Sequence, residues 1–395
     1  VLTPVLNIDD AISATAPILH ETMMTQGLAE PATEASNVSA RMELKKGDIE
    51  AGFAAADVIV ERAYDTPTVH QGYIEPHATT VVFNDNGPSM IWCPTQGHFD
   101  VRARVAQLMN LELGQIKVVA SEIGGGFGGK TTVYLEPVAL ILSKKSGRPV
   151  KMEMSRGDVF RASGPASASQ SRIKIGAKMD GTITAMQATL HYEAGAFQGS
   201  PMGPGCMTVF TPYDVENLYV EGFDVVVNKP KVAAYRAPGA PQSEFAAEMA
   251  VNELAKKIGM DPIEFRLKNA AKEGTQTIYG PKLKVVGLVA CLEAAKSSPH
   301  YNAPIPENVG RGLAAGFWFN IGGQSSVIIN LNPDGTGTII EGSPDIGGSR
   351  ASMQMMAAEI LGVAPSSLNP IVADTEHVAY NQTTGGSRTT FATGM

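Results

Sequence analysis

Residues 79–121 read TTVVFNDNGPSMIWCPTQGHFDVRARVAQLMNLELGQIKVVAS, and the order of signals in this stretch decides the fold. Thr79–Phe83 is apolar and β-branched like a strand, Asn84-Asp85-Asn86-Gly87 is a turn, and Ser89–Trp92 returns. The polar loop Pro94-Thr95-Gln96-Gly97 leads into a helix from about Phe99 to Met109, Leu113-Gly114 ends it, and Ile116–Ser121 is another strand. The same order recurs late in the chain. Ser326–Leu331 and Thr338–Glu341 flank the turn Asn332-Pro333-Asp334-Gly335, and the loop Ser343-Pro344-Asp345-Ile346-Gly347-Gly348 follows. A helix from Ala351 to Ile360, Leu361-Gly362 and the strand Asn369–Ala373 complete the second copy. A hairpin, glycine loop, helix and strand used twice imply an α+β (mixed α/β) chain of two related domains facing one another.

Other elements fill the space around the copies. Val38–Leu44 alternates like a strand, Asp48 is placed to cap a short helix through Ala56, and Val58–Tyr64 is a strand. Glu136–Lys144 is a helix with a buried apolar face, and Val150–Met154, Ser171–Lys178 and Thr182–Tyr192 are strands. Lys178-Met179-Asp180-Gly181 is a hairpin turn. Gln242–Gly259 is an amphipathic helix, Asp261-Pro262 starts another, and a further helix is expected around Val289–Lys296. Residues 1–36, rich in Pro, Thr and Ala, read as a linker laid over a surface.

Composition excludes several classes. The 395 residues carry 31 Lys plus Arg against 39 Asp plus Glu, a net charge of −8 that argues against a nucleic-acid partner. Three scattered cysteines, Cys93, Cys206 and Cys291, build neither a zinc nor an iron–sulfur site and fit a reducing, cytoplasmic compartment. No apolar run approaches the ~20 residues of a membrane helix.

The strongest chemical signal is Glu122-Ile123-Gly124-Gly125-Gly126-Phe127-Gly128-Gly129-Lys130, following a strand and preceding a helix. Five glycines in six positions leave a main chain free to enter positive φ and present its N–H groups to an anionic or polar ligand. Gly124 to Thr131 formally fits a P-loop, and Gly124, Gly126 and Gly129 fit GxGxxG. The hairpin architecture and the lack of an acidic strand end downstream speak against both. Gln96 places an uncharged amide in a strand-to-helix loop, and Arg236 sits in the rigid loop Ala234-Tyr235-Arg236-Ala237-Pro238-Gly239-Ala240-Pro241-Gln242. Thr383-Thr384-Gly385-Gly386-Ser387-Arg388-Thr389-Thr390 gathers hydroxyls, glycines and one cation suited to phosphate oxygens. His70, His77 and His98 lack a metal-ligand spacing and read as satisfied structural histidines.

Together these segments, with Asn37-Val38-Ser39-Ala40-Arg41 and Glu75-Pro76-His77-Ala78, resemble the molybdenum-binding subunit of the xanthine dehydrogenase and aldehyde oxidoreductase family of molybdenum hydroxylases. The resemblance implies a molybdenum held by molybdopterin, in the cytosine dinucleotide form, with no protein atom as a metal ligand. Gln96 would hydrogen-bond its oxo group, and Gly126, Phe127, Gly128 and Gly129 would line the metal's surroundings. Arg236 would fix the loop and help bind oxo groups or substrate. Gly347, Gly348 and Ser349, with Gly386, Ser387, Arg388 and Thr389, would hold the pterin and its phosphates. Electrons would leave through [2Fe–2S] and FAD groups on other domains or subunits, after oxidation of a small aldehyde or N-heteroaromatic substrate.

The resemblance also divides the chain: 1–36 a linker from a further N-terminal domain, 37–275 a first molybdopterin-binding domain, 276–306 a connection, and 307–395 the incomplete start of a second. The family's general-base glutamate has no counterpart before Met395, so the chain is expected to be a fragment or half of a split subunit, inactive alone, with a second chain supplying that base. Thr131 in place of a substrate-binding glutamate argues against purine, and Ala237 in place of a cysteine argues against carbon monoxide chemistry. Gly348 replaces a pterin-contacting glutamine. The competing readings are a non-catalytic molybdopterin-binding scaffold and a P-loop nucleotide hydrolase.

Overall fold

The computed structural model describes residues 3–319, 321–372 and 374–395. They pack into two compact units, neither continuous in sequence. The first takes residues up to Val69, Ala166–Val232 and Ala237–Trp318; the second takes His70–Pro165, Ala233–Arg236 and Phe319–Met395.

The first unit is built on a five-stranded sheet in the order Val38–Lys46, Asn217–Val226, Ile183–Gly195, Ser169–Ala177, Val58–Thr66. All neighbours are antiparallel except Ile183–Gly195 and Asn217–Val226. Period-two alternation puts Ile173, Ile175, Met186, Leu190 and Val220 on one face. The helix Ala240–Ile258 covers that face with Val251 and Leu254, and with Ala246, Ala247 and Ala250, small residues that let it lie close. Asp261 caps the next helix, Pro262–Asn269, accepting from the N–H groups of Ile263 and Glu264.

Two expectations fail here. Residues 1–36 are no loose linker: Asn7 caps a helix Ile8–Ile12, and Val5, Ile8 and Ala11 are buried with Val225 and Val227. Residues 276–306 are no connection: Thr277 and Ile278 are buried, and the helix Leu288–Ser297 packs Leu292 against Ile263 and Ala270. Apolar side chains at these positions cost too much in water to be left on a spacer.

The second unit holds both copies of the repeat. In the first, the hairpin Ala78–Val82/Ser89–Cys93 is antiparallel, the helix His98–Met109 crosses over, and Ile116–Ala120 lies parallel to Ser89–Cys93. Val150–Glu153 adds antiparallel to the outer edge of Ala78–Val82. In the second, Val327–Leu331/Gly337–Glu341 is the hairpin, Ser349–Leu361 the helix and Leu368–Val372 the parallel strand. The strand expected to reach Ala373 ends outside the described residues at that one position. The compact units cut across the two stretches 37–275 and 307–395. The first copy is an insertion between Val58–Thr66 and Ser169–Ala177, which pair directly with each other, and both copies share one unit. Among the described residues no helix is long and apolar enough to cross a membrane.

Candidate functional site

Five loops of the second unit are joined by one chain of hydrogen bonds, and Gln96 is its hub. It sits where strand Ser89–Cys93 gives way to helix His98–Met109 and is only 4% exposed. Its Oε1 accepts from the main-chain N–H of Gly128 (3.0 Å) and of Lys130 (3.2 Å), and its Nε2 donates to the Thr384 carbonyl (2.8 Å). Its backbone N–H donates to Lys130 O (2.9 Å), and its carbonyl accepts from Thr384 N (2.8 Å). Phe127 O accepts from Arg236 N (2.8 Å), and Ile123 forms a parallel bridge with Ile346, its N–H donating to Asp345 O (3.3 Å). The loops around Gln96, Phe127, Arg236, Ile346 and Thr384 thus meet.

The glycines are required by space as well as by torsion. A Cβ on Gly126 would lie 2.6 Å from Gln96 Oε1, and one on Gly128, at φ +108°, would lie 2.5 Å from Ala234 O. Phe127 itself is at φ +53° and 44% exposed, a strained turn residue whose ring lies close to Gly125. Arg236 (φ +27°) is also left-handed, and its guanidinium makes no hydrogen bond or ion pair among the described residues. Gly347 (+65°) and Gly348 (+80°) have nothing within 4 Å of a Cβ, so the loop opens onto free space. Helix Ser349–Leu361 starts there with no side chain capping it from Gly348. Asp345 reaches back instead, accepting from Ser349 Oγ (3.3 Å) and Arg350 N (3.2 Å).

Several expected roles change. Lys130 is 1% exposed, its Nζ is 2.5 Å from Glu75 Oε2, and the next helix begins only at Glu136. Burial, opposed by Glu75, lowers its pKa. Neither a phosphate-gripping lysine nor a helix N-terminus therefore stands behind the glycine loop, which removes the P-loop reading. Arg388, 1% exposed, donates to the carbonyls of Gly322, Gln382 and Gln324 and to Ser325 Oγ, so it staples its own loop. Gly386 and Ser387 nevertheless stand at φ +67° and +60°, with the Ser387 hydroxyl exposed, and Thr389 Oγ1 donates to Thr384 Oγ1 (2.9 Å).

Of the histidines, His77 meets Tyr73 Oη (2.7 Å) and His70 meets Ser163 Oγ (2.8 Å), as expected. His98 does not: both ring nitrogens are buried without a partner. Burial lowers both His77 and His98 to a pKa of about 4.

Sequence reasoning missed Gln71, whose Nε2 ties Gly164 O to Ala234 O while its Oε1 is buried without a partner. It also missed Glu341, 0% exposed with both carboxylate oxygens unpartnered. Burial, with Asp345 adding to it and Arg350 opposing, raises that carboxyl to about 7. No sequence signal marks either residue. A glutamate closing an apolar strand looks like any surface position.

The donor set fits an oxo- and phosphate-bearing pterin group. Gln96 keeps one uncommitted amide N–H, the 126–129 turn is bare main chain, the Gly348 helix start is open, and among the described residues the Arg236 cation is free. Among the described residues no cluster of three or more His, Cys, Asp or Glu could hold a metal ion.

The family model described as the molybdopterin cofactor-binding domain matches residues 30–270, and a second model of the same description matches 287–395. The nicotinate dehydrogenase large molybdopterin subunit of Eubacterium barkeri is 32% identical over 268 residues, 66% of this chain and 62% of that protein. A probable hypoxanthine oxidase of Escherichia coli K12 is 27% identical over 97% of this chain and 45% of its own length. The solved aldehyde oxidoreductase of Desulfovibrio gigas superposes with a TM-score of 0.85 at 27% identity, covering 100% of this chain and 44% of that one. The chain spans about half the length of most of the curated relatives it matches. It belongs to the molybdopterin cofactor-binding family of the xanthine dehydrogenase and aldehyde oxidoreductase molybdenum-binding subunits.

Proposed function

We propose that this chain is the cofactor-holding part of a cytoplasmic molybdenum hydroxylase that oxidises an aldehyde or N-heteroaromatic compound with oxygen drawn from water. The observation that carries the reading is the Gln96 junction, where one buried amide fixes the glycine turn and the Thr384 loop around a site lined by bare main chain. When bound, the cofactor supplies two-electron redox chemistry at a metal held by the pterin's own sulfur atoms. The spare N–H of Gln96 would donate to it, and main-chain groups of Gly126–Gly129 would border it. Arg236 would meet anionic oxygen of cofactor or substrate. Gly347, Gly348 and Ser349 would receive the pterin, and Gly386, Ser387 and Thr389 its phosphates, in a cytosine dinucleotide. Arg388 serves this indirectly, by holding Gln382 and Gln324 together.

Electron transfer to [2Fe–2S] and FAD partners, and a general-base glutamate from outside these residues or from a partner chain, belong to the same proposal. Thr131 and Ala237 favour substrates other than purines and carbon monoxide. The test is elemental and pterin analysis of the native assembly, with release of cytidine monophosphate on acid hydrolysis and turnover of aldehydes and N-heteroaromatics. Stoichiometric molybdenum and pterin support it; an intact assembly holding neither overturns it.

A further inference from the structure

Arg236 stands on strained main chain. It and Ala237 are consecutive non-glycine residues at positive φ, +27° and +58°. Torsions of that kind persist only where surrounding contacts fix them, and they gather where a side chain must be aimed. The Arg236 side chain is exposed, so the fixing falls to the backbone of the residues leading into it.

Three ties act there. Ala233 N donates to Pro165 O and Arg236 N to Phe127 O, both at 2.8 Å. The third is made by a side chain: Gln71 Nε2 donates to Ala234 O (2.9 Å). That carbonyl also backs onto the glycine turn, since a Cβ on Gly128 would lie 2.5 Å from it.

Gln71 is 4% exposed, and its Nε2 donates to Gly164 O (3.0 Å) as well as to Ala234 O. Two carbonyls on one side decide which end of the amide carries the hydrogens. Its Oε1 is therefore turned towards Gly129, 3.2 Å from the place of a Cβ there, and is buried without a partner. A stranded acceptor costs stability, so filling the space alone would favour an apolar side chain. What glutamine adds is the pair of donors that ties Gly164 to Ala234.

We infer that Gln71 is a positioning residue for Arg236: through the Ala234 carbonyl it fixes the strained backbone from which the guanidinium extends. This role rests on the reading of Arg236 as the cation that meets anionic oxygen of cofactor or substrate. Two buried amides then divide the work. Gln96 joins the glycine turn to the Thr384 loop, and Gln71 joins Gly164 to the Arg236 loop.

Three substitutions test it. Gln71→Met keeps the length and removes the donors, Gln71→Asn keeps an amide too short to span both carbonyls, and Gln71→His keeps one ring N–H in reach of Ala234 O. In the native assembly of the first two, the amides of 235 and 236 exchange about ten-fold faster while those of 78–82 are unchanged. Both also lower kcat/KM for an aldehyde or N-heteroaromatic substrate about ten-fold, with no further loss when Arg236→Gln is already present. Gln71→His restores both readings. Unchanged exchange at 235–236, no recovery in Gln71→His, or losses in kcat/KM that add to that of Arg236→Gln overturn the assignment. Failure of Gln71→Met and Gln71→Asn alike to assemble overturns it too, since the role is then structural. Faster exchange in an assembly that holds no molybdenum and turns nothing over keeps the hold of Gln71 on the Arg236 loop while the functional reading fails.

Discussion

The Gln96 side chain does two jobs at once, and its replacement separates them. A sequence view expects Gln96→Ala to spare folding and slow only the chemistry. The structure predicts otherwise, because the buried N–H groups of Gly128 and Lys130 lose their acceptor. Stranded buried donors cost about 1–3 kcal/mol each, so with two of them the variant loses about 2–6 kcal/mol in denaturant unfolding together with its cofactor. An unchanged midpoint would show that solvent replaces the amide. Gly128→Val meets Ala234 O and a left-handed φ, and should leave molybdenum content near zero in an assembly that still forms. Full occupancy would mean that the 126–129 turn can shift without harm. These glycines were legible in the sequence because five of them in six positions has no cheap structural explanation. Gln71 and Glu341 were not, since burial of a lone polar group leaves no mark in the residues beside it.

Among elements, turns and caps read well where a single residue type is demanded. Asp48 caps its helix, the next helix starts at Pro262, and the hairpin turns form at 178–181 and 332–335, as expected from the sequence; the structure adds the Asp261 cap and positive φ at Gly181 and Gly335. The strand Asn217–Val226 escaped because Gly222 and Asp224 interrupt the apolar alternation that Leu218 and Val220 begin on its inward face. Asp224 points inward to Ser39 Oγ and the N–H groups of Gly199 and Ser200 (both 2.7 Å), and Gly222 leaves room for Cys206. The helix Met202–Thr208 escaped because Met-Gly-Pro-Gly-Cys-Met-Thr carries breakers in a segment held only by tertiary packing. The start of helix Ser349–Leu361 gives a test at this scale. Asp345 is the side chain that satisfies its first turn, and it also pairs with Arg350 (3.2 Å). Asp345→Ala should cost about 1 kcal/mol, as the loss of a helix cap does, and loosen the loop proposed to receive the pterin. Gly348→Gln, which restores the side chain other family members carry there, has room for its Cβ but must adopt φ +80°. It should cost about 1 kcal/mol. A midpoint unchanged in both variants would remove this loop from the elements that set stability.

For the whole molecule, the discontinuous units could not be read from the sequence, because an insertion between two paired strands looks, residue by residue, like the next domain along the chain. What those units bury sets the response to pH. Burial raises Glu244 to about 8, with Glu248 adding and the Phe317 N–H opposing, and raises Glu341 to about 7. Burial lowers His77 and His98 to about 4. Each raised carboxyl keeps its proton in the folded state after the unfolded chain has lost it, so it weakens folding as pH rises from about 4.5 to its folded value. Each lowered histidine does the reverse, strengthening folding as pH rises from about 4 to about 6.5. Between about 4.5 and 6.5 the four groups offset one another. Above 6.5 the histidines contribute nothing more, while Glu341 acts to about 7 and Glu244 to about 8. Each carboxyl that stays protonated only in the folded chain costs about 1.36 kcal/mol for every whole step in pH, so the fall from pH 6.5 to 8 is about 2–3 kcal/mol. The denaturant midpoint should therefore drop over that interval, and the double variant Glu244→Gln, Glu341→Gln should flatten it. A midpoint that holds or rises to pH 8 would mean that both carboxylates find partners or water in solution.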